Sequence, residues 1–158
     1  AILSIMKIVL TPLDFSNVSD SVLKGAINLA RAIEGRLVLF HVIQPPVITS
    51  EYGAVLSNVR EIVAVNEQTS LKELKRHQKK LEATGLKVSI AQATGGPVAH
   101  ILEQAKKSRA SYIVMGSHGH TALYDLLAGS TATGVIKRAP CPVVIMPPVK
   151  KKKKKSKK

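Results

Sequence analysis

Short apolar, β-branched runs alternate with stretches of helical periodicity along the chain, and this alternation restricts the fold more than any single residue does. The runs are Lys7 to Leu10, Arg36 to Val42 (RLVLFHV), Lys87 to Ala93, Tyr112 to Met115 and Val143 to Met146. Between them lie apolar stripes at helical spacing. Val22, Leu23, Ala26, Ile27, Ala30 and Ile33 form the first, closed by Gly35. A broken stripe follows over Asn58 to Thr84, from Val59, Ile62 and Val63 to Leu71, Leu74, Gln78 and Leu81, and Gly85 ends it. Val98, Ile101, Leu102 and Ala105 make a third, after Pro97 at a first helical position. Strand and helix alternating in this way predict a parallel sheet with helices on both faces and right-handed crossovers. In such folds ligands bind at the carboxyl ends of the strands, where the strand order reverses.

Two strand ends carry chemistry. The first run exits through Thr11-Pro12-Leu13-Asp14-Phe15-Ser16, where Pro12 disfavours helix at Thr11 and Asp14 falls at or just past the strand end. A carboxylate there only accepts hydrogen bonds, which suits the donors of a polar ligand or of a turn. Ser16, Asn17 or Ser19 is expected to cap the helix that follows. The fourth run leads into GSHGHTALYDLLAGST, Gly116 to Thr131. Its glycines are spaced as Gly116, two residues, Gly119, nine residues, Gly129, with Ser130 and Thr131 next. Glycines between a strand end and a helix start let a phosphate approach the main chain, where free N–H groups and the positive end of the helix dipole hold it. Ser130 is the expected N-cap, and Thr121 to Leu127 forms a short helix within the stretch. The competing reading makes Gly116 and Gly119 a tight turn and Gly129 a helix boundary. Neither GxxxxGK[ST] nor GxGxxG occurs after a strand, which excludes a P-loop and a dinucleotide fingerprint.

Composition sets the remaining bounds. The chain has 158 residues, 45% of them apolar, enough for one domain with an aliphatic core. One cysteine, Cys141, excludes an internal disulfide and a cysteine-cluster metal site, and fits a cytoplasmic setting. No apolar run approaches the roughly 18 residues that a membrane span needs. Eight lysines of the tail account for most of the net charge of +14 and leave +6 for the body. We expect an N-terminal remnant at 1–5, one domain at 6–147 and a solvated basic tail at 148–158. With no aromatic among the tail lysines, a nucleic-acid partner is not expected. His118 and His120 form an H-x-H pair that lacks a third metal ligand, and His41 reads as a satisfied strand residue.

With these motifs in view, the chain resembles the universal stress protein family in its single-domain, ATP-binding branch. The resemblance covers roughly Met6 to Met146: the opening KIVLTPLDFS, the second strand ending HV, the G-2x-G-9x-G-S/T motif and the closing APCPVVIMP. It implies a Rossmann-like, adenine nucleotide alpha hydrolase-like fold, an open five-stranded parallel sheet of order 3-2-1-4-5. It places Asp14, near Pro12 and Leu13, at the adenine or ribose end of the nucleotide, Val42 against the base and Met115 in the lining. Gly116, His118, Gly119, Gly129, Ser130 and Thr131 surround ribose and phosphates. His120 stands where the family often has a basic residue. The cofactor implied is ATP with Mg²⁺, the latter held mainly by phosphates and water. The resemblance also implies a homodimer through Val143 to Met146, in keeping with an apolar edge that needs a partner.

The function expected is nucleotide-dependent regulation in a stress response, with slow or no ATP hydrolysis. The sequence shows no general base, metal cage or arginine finger for fast phosphoryl transfer. Two alternatives stay open: a slow ATP hydrolase using Asp14 and a metal, and a dimeric interaction module that binds no nucleotide.

Overall fold

A computed structural model describes residues 5–47, 56–118 and 128–148. The elements run β1 (Ile8–Pro12), α1 (Ser19–Ala32), β2 (Arg36–Ile43), α2 (Leu56–Glu82), β3 (Val88–Thr94), α3 (Pro97–Lys107), β4 (Tyr112–Gly116), α4 (Ser130–Arg138) and β5 (Val143–Met146). All pairings are parallel, and the strand order is β3-β2-β1-β4-β5, as expected.

Strand periodicity sorts the apolar residues into two layers. On one face of the sheet Val9, Leu13, Leu37, Leu39 and Val114 pack with Val22, Leu23, Ala26 and Ala30 of α1 and Leu74 and Leu81 of α2. On the other, Leu10, Val38, Phe40, Ile113 and Met115 pack with Ile101 and Ala105 of α3 and Ala132 and Val135 of α4. Each fully buried Leu, Ile or Val contributes about 1.5–3 kcal/mol of transfer free energy. The half-buried Cys141 packs on the second layer, and burial pushes its thiol pKa up.

Several local expectations need correction. β1 runs through Pro12 and does not stop at Leu10. Proline fits there because its missing N–H falls at the strand's last residue, which pairs with Phe40. β3 lies one residue later than read, at Val88–Thr94. The broken stripe is one continuous helix, α2. Val18, and none of Ser16, Asn17 or Ser19, occupies the N-cap of α1, without a side-chain cap bond. Ser130 is the first helical residue of α4, and Gly129 occupies the N-cap.

At the end of α1 the left-handed residue is Glu34 (φ 53°), not Gly35. Gly35 N–H reaches back to Ala30 O (2.8 Å) and Glu34 N–H to Arg31 O (3.3 Å), so these two carbonyls of the last turn are satisfied. Gly35 is needed for closeness: a Cβ there would lie 2.8 Å from Lys7 O. The segment expected as a short helix, Thr121 to Leu127, lies outside the described residues, as do Gly119, His120 and the lysines from Lys150 onward.

Candidate functional site

β1 sits between β2 and β4, and the chain leaves it in one direction for β2 and returns on the other side as β4. The order therefore reverses between β1 and β4, which pair in parallel through Val9–Tyr112 and Leu10–Ile113, so their carboxyl ends point the same way. A cavity of about 470 Å³ opens at that point. Pro12, Leu13 and Asp14 come to it from the end of β1, Val42 from β2, and Met115, Gly116 and His118 from β4 and its exit. Gly129, Ser130 and Thr131 close it from the start of α4. Every described residue expected at the site lines this one cavity; Gly119 falls outside the described residues.

The β1 exit is pinned to β2. Leu13 N–H donates to Phe40 O (2.8 Å), and His41 Nδ1–H donates to Leu13 O (2.6 Å). Phe15, held at φ 59°, lies with its ring centroid 4.6 Å from that of His41 and 6.4 Å from that of His77 on α2. Asp14 Oδ1 accepts the Ser16 N–H (2.9 Å) and the Ser19 hydroxyl (3.3 Å). Asp14 thus holds the turn into α1 as it faces the cavity, so the turn role and the cavity position coexist in one side chain.

The β4 exit is held as closely. Ser117 N–H donates to Met146 O (3.0 Å), and Gly129 N–H donates to Ser117 O (2.6 Å). This clasp brings the start of α4 onto the end of β4. It leaves little room for side chains: a Cβ at Gly129 would lie 3.3 Å from Ser117 O, and one at Gly116 would lie 3.1 Å from Val18 Cγ1 and 3.2 Å from His118 O. The first α4 residue to bond back within the helix is Thr133, to Gly129 O (3.0 Å). The N–H groups of Ser130, Thr131 and Ala132 therefore have no intrahelical acceptor, at the end where the dipole is positive. His118 Nδ1 lies 3.0 Å from Ser117 Oγ, and its Nε2 is buried with no hydrogen-bond partner among the described residues.

The start of α4 thus offers N–H and hydroxyl groups to an anion, and the end of β1 brings a carboxylate to the same cavity, beside apolar Leu13 and Val42. The cavity also includes residues that the sequence reading did not place there: Val18, Ser19, Phe40, His41, Gln44, Pro97, Ile101, Ser117 and Ala132. Pro97 was readable in principle, since it opens the helix after β3 and so lies at the same end of the sheet. His41 was not, because its role depends on the register that sets Pro12 beside Phe40.

Comparison with known proteins agrees with this architecture. The sequence model of the universal stress protein family matches residues 6–147. Universal stress protein MJ0531 of Methanocaldococcus jannaschii is 34% identical over 144 residues, covering 90% of this chain and 83% of the relative. Among solved structures, MJ0577 of the same organism superposes with a TM-score of 0.78 at 28% identity, covering 92% of this chain and 98% of that one. A universal stress protein from Archaeoglobus fulgidus, solved in complex with dAMP, shares the fold with a TM-score of 0.59 at 21% identity, covering 89% of this chain and 97% of that one. With nine-tenths of its length matched by the family model and by a relative of this identity, the chain belongs to the universal stress protein family.

Proposed function

We propose that the chain binds ATP in the cavity between the ends of β1 and β4 and serves as a nucleotide-dependent regulatory module. The observation that carries this reading is convergence. The phosphate-accepting start of α4 and the carboxylate after β1 are far apart in sequence, yet both line one cavity. In this reading the N–H groups of Ser130 and Thr131, with their hydroxyls, hold the phosphates. Gly116 and Gly129 keep the approach open, and His118 Nε2 meets a polar group of the ligand. Asp14 accepts from the ribose or the adenine amino group, and Val42 and Leu13 pack on the base. The dAMP complex of the Archaeoglobus fulgidus protein supports an adenine nucleotide as the ligand class for this fold.

Among the described residues no three His, Cys, Asp or Glu side chains gather as metal ligands, so Mg²⁺ would be held chiefly by the phosphates and water. The carboxylate nearest the ligand is already engaged by Ser16 and Ser19. That favours binding over rapid turnover.

We also propose that two copies pair through β5. Among the described residues this strand has a neighbour on one side only, and Val144 on it and Ile136 on α4 are exposed apolar side chains. A cytoplasmic setting suits both the nucleotide and the unpaired Cys141.

Native mass spectrometry of the purified protein, followed by calorimetric titration with ATP, ADP and AMP, tests the reading. Saturable binding that strengthens with phosphate number is the expected result. Absence of binding at millimolar ATP would favour the interaction module, and steady phosphate release would favour the hydrolase.

A further inference from the structure

The pole of the molecule opposite the cavity carries a concentration of positive charge that the proposed nucleotide site does not use. In a parallel sheet with crossover helices, strand starts and helix ends share one pole. Here Lys7, Arg36 and Lys87 stand at the starts of β1, β2 and β3, and Arg109 precedes β4. Backbone bonds set Lys87, Arg36 and Lys7 in a row, through Leu37 N–H to Lys87 O and Arg36 N–H to Lys7 O, and Ser111 N–H to Ile8 O places the start of β4, just after Arg109, next to them. At about 4.8 Å between strands, the row is about 14 Å long. The last turns of the four helices add Arg31, Lys79 and Lys80, Lys106 and Lys107, and Lys137 and Arg138. All but Arg36 are exposed.

Two carboxylates, Glu34 and Glu82, share the pole with these eleven cations. Among the described residues the ion pair is Arg76–Glu73, with a His100–Glu103 contact besides, so none of the eleven is in an ion pair. Cations at helix ends complement the macrodipole, but four helix ends offset only about two charges. The strand-start row has no such explanation.

We propose that this pole is a docking surface for an anionic lipid surface. Charge complementarity supplies the attraction, at about 1 kcal/mol for each basic side chain near the headgroups. Met6 (40% exposed), the first residue of the domain, directly precedes Lys7 and offers an apolar side chain at the same place. Lipid fits better than nucleic acid, because no aromatic side chain is among the large exposed apolar residues described, and bases would have no platform to stack on. Docking by this pole leaves the cavity, at the strand carboxyl ends, open to solvent.

The test uses the full chain with its eight tail lysines replaced by serine, so that the tail cannot supply the attraction. Vesicles of phosphatidylcholine alone and of phosphatidylcholine with phosphatidylglycerol are sedimented with the protein at low and physiological salt. Binding is expected only to the anionic vesicles and weakens as salt rises. Replacing Lys79, Lys80, Lys87 and Lys107 by glutamine should weaken it by about two to three orders of magnitude. Replacing Lys24, Arg60, Lys72 and Lys75 removes equal charge at least about 10 Å along the helices from the pole, and should cost less than about tenfold. All eight side chains are exposed, and circular dichroism checks that both variants keep the fold. The proposal is overturned if the tail-neutral chain ignores anionic vesicles, if both variants lose binding equally, or if a duplex DNA binds more tightly than the vesicles.

Discussion

Gly129→Val puts the proposed phosphate grip to a quantitative test. Gly129 has φ −69° and ψ 170°, an extended conformation that valine adopts readily, so the exchange brings no backbone strain. The new Cβ would stand 3.3 Å from Ser117 O and 3.7 Å from His118 Cα, close enough to force a shift of a few tenths of an ångström. Such overpacking costs about 1–3 kcal/mol, and loss of glycine's unfolded-state entropy returns about 0.4–1 kcal/mol. The folded state should therefore lose roughly 0–2.5 kcal/mol and survive. Binding should suffer more. The valine methyl groups enter the cavity beside the N–H groups of Ser130 and Thr131. Displacing a phosphate from two charge-assisted hydrogen bonds, each worth about 1.5–3 kcal/mol, lowers affinity by about two to four orders of magnitude. Urea unfolding without nucleotide measures the first quantity, and calorimetric titration with ATP the second. Gly129→Ala, which adds the Cβ alone, should fall between the parent and the valine variant. If the valine variant kept the parent's urea midpoint and bound ATP within threefold of it, the phosphates would not lie against the start of α4.

Four further outcomes follow from the same geometry. Asp14→Asn retains an oxygen for the Ser16 N–H, so stability should change by less than about 1 kcal/mol while ATP affinity drops about tenfold, as titration would show. Leu74→Ala empties a fully buried site between α2 and the sheet and should cost about 2–5 kcal/mol in urea unfolding. Desolvation lowers the His77 pKa below its ordinary 6.5, with Arg76 acting in the same direction. The folded state thus binds that proton less well than the unfolded chain does. The contribution is fully present above about pH 6.5 and is lost as pH falls through the depressed value, so His77→Gln should flatten the urea midpoint between about pH 7 and 5. Val144→Asp places a charge on the exposed edge of β5 and should convert the proposed dimer to monomers in sedimentation velocity; an unchanged sedimentation coefficient from a dimeric parent would move the interface elsewhere.

The strands were legible because a sheet covered on both faces needs apolar residues at consecutive positions, and few other structures accept Val9-Leu10 or Ile113-Val114-Met115. The site was legible for a related reason: once strands and helices alternate, topology alone sends Asp14 and Gly129 to the same end of the sheet. What stayed hidden are features whose energy comes from partners distant in sequence or from backbone bonds blind to side-chain type. Glu34 and Arg109 adopt positive φ at helix ends where glycine is the usual residue, because the N–H groups after them, of Gly35 and Ala110, bond back to Ala30 O and Ala105 O. The α2 stripe looks interrupted because the segment Val65 to Thr69 is largely exposed, while Ser70, Leu74 and Leu81 are buried. His41 shows the limit most clearly. Its bond to Leu13 O exists because β1 and β2 pair with Pro12 beside Phe40, which sets the next residue of each strand within reach. That register ties the turn bearing Asp14 to β2, so the residue given a plain structural part by its local sequence helps to hold the carboxylate at the cavity. Reading the site from the sequence therefore identifies which groups meet, and only the pairing of the strands reveals what keeps them in place.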